Sequence, residues 1–192
     1  FRLKKRWPFK HQIIDYSNYT PYGNKITAQI ANEFVFKHHI WGKAHDDLAK
    51  YYESNMNFSY AVKEYQVITK MFPEKKKYFY KLIENAKKSS QWRVVEKTCL
   101  YLLNNDADNA IVRYDLALSQ RSLGKLKKSF ENVNQSIDQG SLNDSQLAYA
   151  LFLKALILID IKEYNDSKKI LIKIDENFPD LIKVKDILKK LE

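Results

Sequence analysis

From residue 42 onward, apolar side chains recur at three- and four-residue spacing in short blocks, each long enough for three or four helical turns and separated by polar breaks. The blocks themselves repeat. Leu48, Ala49, Tyr52, Ala61, Tyr65, Ile68 and Pro73 define a first unit, and a shift of 34 residues lands on Leu82, Ile83, Ala86, Val95, Cys99, Leu102 and Ala107. A second shift of 34 begins a third unit at Ala110, with Leu116 and Ala117 central, Gly124 in its turn and Val133 beyond. This unit is weaker, because Arg113, Gln120, Ser129 and Ser136 stand at apolar positions. A small insertion over 140–145 delays the fourth unit to Ala148, which carries Leu151, Ala155, Leu158, Leu171, Ile174 and Pro179. Pro73 and Pro179 share one repeat position, where a ring without an amide donor ends a second helix. The final stretch, 181–192, reads as a closing helix with Ile182, Ile187, Leu188 and Leu191 on one face and lysines outward.

A pair of antiparallel helices cannot bury its apolar stripe alone, so such units stack, and small residues such as Ala49, Ala117 and Ala155 let helices approach closely. The order of large, Leu, small and Tyr, then Ala and an aromatic, then Pro, resembles the tetratricopeptide (TPR) signature, with His45 where a tryptophan is usual. The expectation is an all-α solenoid of about four TPR-like hairpins with units near 42, 76, 110 and 148, closed by a capping helix. Residues 1–41 form a separate N-terminal segment ahead of a 42–192 solenoid domain.

Within that segment, Ile13 and Ile14 suggest the end of a strand, and Thr20 and Pro21 the start of a helix bearing Ile26, Ile30 and Phe34. The wording of 12–32 resembles the last sequence block of SGNH (GDSL-type) hydrolases. There an aspartate orients a histidine base, and the resemblance places Asp15 at the aspartate and Asn18 at the histidine. An amide does not relay a proton near neutral pH, so the site as written lacks its base. The resemblance therefore implies either the C-terminal part of a longer esterase or acyltransferase, or a pseudoenzyme remnant. A first residue Phe1 in place of Met fits a chain that is processed or longer in nature. The same likeness would favour a bacterial extracytoplasmic compartment; otherwise the expectation is cytoplasmic.

Composition narrows the chemistry. Four glycines, widely spaced, supply no phosphate-binding loop or nucleophile elbow, and one cysteine supplies no disulfide or Cys-rich zinc site. The four histidines have no metal-ligating spacing, so neither metal nor cofactor is expected. No apolar run is long enough to span a membrane. The net charge is +10, half of it in Arg2, Lys4, Lys5, Arg6 and Lys10, interleaved with Phe1, Trp7 and Phe9. Such an arm offers RNA or an anionic surface as a further alternative, although only five arginines provide bidentate phosphate contacts and nucleic acid is disfavoured.

The TPR resemblance implies a non-catalytic scaffold or adaptor that mediates protein–protein interaction and complex assembly through a face lined by first helices. Projecting the register onto that face selects Lys77, Tyr80, Lys81, Tyr114, Arg121, Tyr149 and Phe152, basic in the middle and aromatic towards the C-terminus. This pattern suits an extended partner segment with acidic and apolar residues, with self-association of exposed solenoid ends a further expectation. Asp46, Lys50, Ile111 and Asp115 do not reproduce the Lys/Asn/Arg set with which some TPR proteins clamp a chaperone carboxylate.

Overall fold

A computed structural model describes residues 40–105, 109–179 and 184–191. The described chain is helical, without a strand: α1 (40–54), α2 (Phe58–Met71), α3 (Lys76–Lys88), α4 (Trp92–Asn105), α5 (Ala110–Ser122), α6 (Leu126–Asp138), α7 (Asp144–Asp160), α8 (Tyr164–Asn177) and α9 (Val184–Lys190). From α2 on, each helix packs on the next, and α5 also touches α7. This is a stack of hairpins in which first helices lie beside first helices, an α-solenoid. The strand–turn–helix expected in the N-terminal segment lies outside the described residues.

Each hairpin reverses in the same way. Met56, Ser90, Gly124 and Lys162 occupy one repeat position, and all four have left-handed backbone with φ of 56°, 56°, 73° and 69°. The residue after each closes the helix behind it. Asn57 donates its amide to the Tyr52 carbonyl, Gln91 to Ala86, Lys125 to Gln120 and Glu163 to Leu158, each at 2.8 Å. These bonds satisfy the carbonyls that a helix end leaves open. Glycine adopts this conformation freely, whereas the other three each accept a cost on the order of 1 kcal/mol.

Local chemistry also sets where helices begin and end. Asn109 caps α5 by accepting the Val112 amide at 3.1 Å. Asn143 and Gln146 form a reciprocal capping box, at 2.9 and 3.0 Å, that starts α7 at Asp144. At the other end, the Phe72 and Phe178 amides donate to Ile68 and Ile174, both at 2.8 Å, and the following Pro73 and Pro179 prevent continuation. Gly42 abuts the Phe72 ring so closely that a Cβ would run into it.

The core is continuous through the first half. Tyr65, Ile68, Phe79, Leu82, Ile83, Val95, Cys99, Leu102, Val112 and Leu116 interlock around Ala49, Ala61 and Ala86. A second cluster gathers Ala117, Val133, Ala150, Leu153 and Ile157, and a third Ala155, Leu171, Ile174 and Val184. Ile187, Leu188 and Leu191 pack on the third cluster, so α9 closes the stack as its pattern predicts, with Lys185, Lys189 and Lys190 exposed.

The third repeat corrects an expectation. Its polar residues read as weakness in the sequence, yet Ser129 and Ser136 are fully buried. Their hydroxyls donate to the Ala117 and Ala110 carbonyls at 2.6 and 2.7 Å. Arg113 donates to Gln135 at 2.7 Å, and Asn132 to the buried Gln120 at 3.0 Å. Ser167 repeats the Ser129 bond in the fourth unit, donating to Ala155 at 3.0 Å. A buried hydroxyl that finds a carbonyl avoids the desolvation penalty that made these positions look unsuitable.

Candidate protein-interaction face

The first helices α3, α5 and α7 carry the residues singled out in the sequence. On α3, Lys77 is exposed with its ammonium 4.8 Å from the Tyr78 ring, and the exposed Tyr80 hydroxyl accepts from Asn109 at 3.1 Å. Lys81 bonds Glu84 at 3.2 Å and lies 3.8 Å from Glu53. The Glu84 bond is the main reason the Lys81 pKa is raised, and a 2.7 Å bond from Lys88 is the main reason the Glu84 carboxyl is lowered. On α5, Tyr114 is half-buried, and burial first, then the Asp115 charge, pushes its hydroxyl up to about 12. On α7, Tyr149 is exposed and Phe152 packs on the third core cluster.

Arg121 is committed elsewhere. Its Nε donates to Asp160 Oδ2 at 2.7 Å and its Nη2 to Oδ1 at 3.2 Å, a two-pronged bond joining the ends of α5 and α7. This pairing belongs to a ladder. Glu53, Lys87 and Arg121 stand 34 residues apart, and each reaches the first helix of the following hairpin. Asn85 donates to Glu53 at 2.6 Å, Lys87 to Asp115 at 2.5 Å, and Arg121 to Asp160. Glu53, Lys87 and Asp160 escaped the sequence reading. The signal for the first two was available: three long charged residues at one repeat position, flanked by acids or amides one unit on.

The middle of the face is therefore polar but largely compensated, since Lys81, Lys87, Lys88 and Arg121 each have a carboxylate partner. Asp115 is the most buried of these carboxylates, and desolvation raises its pKa against the lowering effect of Lys87. The neighbouring Cys99 thiol is buried and its pKa is driven up, first by desolvation, so it is held as an unreactive thiol. Towards the C-terminus the character changes: Tyr149, Phe152, Leu156 and Ile159 run along α7 without a charge among them, Tyr149 exposed and the rest half-buried.

Outside this face, His45 Nδ1 sits 2.5 Å from Glu64 Oε2, with its ring centroid 5.9 Å from that of Trp41. Among the described residues no group of three or more His, Cys, Asp or Glu side chains is placed to hold a metal ion. No described helix is long and apolar enough to cross a membrane. Asp15, Asn18 and the basic arm Arg2–Lys10 lie outside the described residues.

No family model matches the chain, and no curated protein matches it. Among solved structures, a crystal structure of the MamA protein superposes with a TM-score of 0.67 at 14% identity, over 79% of this chain and 80% of that one. At that identity the likeness is one of fold. With the repeated hairpins described above, it makes this chain a TPR-like helical solenoid. The resemblance of 12–32 to SGNH hydrolases gains no support from these comparisons.

Proposed function

We propose that the chain is a non-catalytic scaffold that holds protein partners on its first-helix face, with the solenoid of 42–192 acting as a unit separate from 1–41. The observation that carries this reading is the division of that face. A charged half whose side chains are tied to one another adjoins an uncharged half in which Tyr149 stands out beside Phe152, Leu156 and Ile159. Aromatic anchors provide most of the energy of protein interfaces, and exposed charges such as Lys77 mainly guide encounter. An extended segment with apolar residues over α7 and an acid over the N-terminal end of α3 fits both halves.

The test compares wild-type chain with Tyr80→Glu/Tyr149→Glu, using affinity capture from the source cells and quantitative mass spectrometry. Leu100→Glu, on the exposed side of α4, serves as the control. Proteins that bind the face disappear from the double variant and stay with the control, while the helical circular-dichroism signal is unchanged. Identical captured sets for all three would remove the face from consideration.

A further inference from the structure

The four left-handed turns end in a common edge of the solenoid. Neighbouring turns are in direct reach, since Lys125 in the third turn bonds both oxygens of Glu96 near the start of α4, at 2.8 and 2.7 Å. Along this edge two kinds of side chain stand out. Met56 is 79% exposed, Tyr60 52%, Ile161 42% and Tyr164 47%, all in the turns or in the first turn of a second helix. Around them lie Lys63, Arg93, Lys97, Lys127, Lys128 and Lys162, exposed and, among the described residues, outside any ion pair. Glu96 and Asp166 are neutralised by Lys125 and Lys169, which leaves Glu131 and Glu163 as the exposed acids opposing that set. The opposite edge is mixed in charge, with Glu74, Asp138, Asp144 and Glu176 set among Lys70, Lys75, Lys76, Lys77 and Lys173.

We infer that the turn edge of the solenoid docks on an anionic lipid surface, with the lysines over the headgroups and the Met56, Ile161 and Tyr164 side chains in the interfacial layer. Exposed apolar tips surrounded by cations match the layered chemistry of a bilayer surface, apolar below and negative at the headgroup level. Nucleic acid fits less well. The cations are lysines apart from Arg93, and protruding methionine and isoleucine side chains have no counterpart on a phosphate backbone. This surface is distinct from the first-helix face, so a membrane-docked solenoid would keep that face open to a protein partner.

The experiment is co-sedimentation of the full chain with vesicles of phosphatidylcholine alone and of phosphatidylcholine mixed with phosphatidylserine, at low and moderate salt. Wild type partitions onto the phosphatidylserine vesicles, less at higher salt, and not onto phosphatidylcholine. Lys97→Glu/Lys127→Glu/Lys128→Glu lowers that partition by about a hundredfold, since each lysine near an anionic surface contributes ~1 kcal/mol. Lys70→Glu/Lys75→Glu/Lys185→Glu, with the same change in net charge, lowers it far less. Met56→Ser/Ile161→Ser/Tyr164→Ser weakens binding without changing its salt dependence.

The inference is overturned if the edge variant binds like wild type or loses no more than the charge-matched control. It is equally overturned if deletion of residues 1–10 abolishes vesicle binding while the edge variant does not, because the basic arm would then carry it. Binding of an RNA oligonucleotide that the edge variant loses, without vesicle binding by wild type, would assign the edge to nucleic acid instead. Far-UV circular dichroism of every variant separates loss of docking from loss of fold.

Discussion

The second and third hairpins reach the same geometry by opposite means. Where α3 meets α4, Phe79 stacks on Tyr101 with ring centroids 4.8 Å apart; at the same two repeat positions of the third hairpin, Arg113 bonds Gln135 at 2.7 Å. Val95 is fully buried in the second hairpin, and at the same repeat position of the third Ser129 is buried through its bond to Ala117. The turns that follow α3 and α5 are nonetheless superposable in kind, left-handed at Ser90 and Gly124 and closed by 2.8 Å bonds. The hairpin backbone thus tolerates either filling, the buried serine hydroxyls of the third hairpin being satisfied by the Ala117 and Ala110 carbonyls. What differs is how each filling should fail.

The largest effect is expected in the apolar half. Ile68→Ala removes a fully buried side chain from the continuous first core and should cost about 3 kcal/mol, read as a lower urea midpoint. A loss well under 1 kcal/mol would mean that the first half is no more dependent on apolar packing than the second. An intermediate effect is expected at the joint between third and fourth repeats. Arg121→Glu sets two carboxylates against each other at Asp160 and should cost about 1–2 kcal/mol, with recovery in Arg121→Glu/Asp160→Arg. The register alone would place Arg121 on an open face and lead one to expect no change in stability from this reversal.

The smallest effect concerns the one deeply buried carboxylate of the ladder. Burial raises the folded-state pKa of Asp115 above its ordinary value, so the folded chain binds that proton more tightly than the unfolded chain does. At neutral pH the ionised group therefore subtracts from stability, and the penalty fades as pH falls through the raised pKa towards the unfolded value of about 4. Asp115→Asn keeps an acceptor for Lys87 and should gain no more than about 1 kcal/mol at neutral pH, with the gain shrinking on acidification. Thermal melts across that pH range check the sign. A variant less stable than wild type at neutral pH would mean that the Lys87 pair outweighs desolvation, and an offset that does not change with pH would mean that the two cancel.

Fold class was written in the apolar register, because packing of hairpins constrains Ala49, Ala117, Ala155, Pro73 and Pro179 directly. The serines of the third repeat were opaque for a physical reason: a hydrophobicity pattern registers Ser129 as polar but cannot show that the Ala117 carbonyl lies within reach. The turns were hidden too, since only Gly124 among Met56, Ser90, Gly124 and Lys162 signals left-handed backbone by its identity. Tyr80 and Tyr149, which the register assigns to first helices, are exposed there, but the commitment of Arg121 was not legible. Its partner Asp160 is 39 residues away, across the insertion that breaks the 34-residue arithmetic.

That insertion shows how the chain absorbs a change in length. The four additional residues between the third and fourth units coincide with an α7 that starts at Asp144, one helical turn ahead of Ala148. Four added residues advance a helix by about 6 Å and rotate its faces by only about 40°. The added material therefore projects from an end of the stack while Ala155, Leu158 and the reversal at Lys162 keep the places held by their counterparts in shorter units. A protein built this way is modular in a literal sense: hairpins can be lengthened at one end, or gained and lost whole, while the reversal that joins their two helices stays the same.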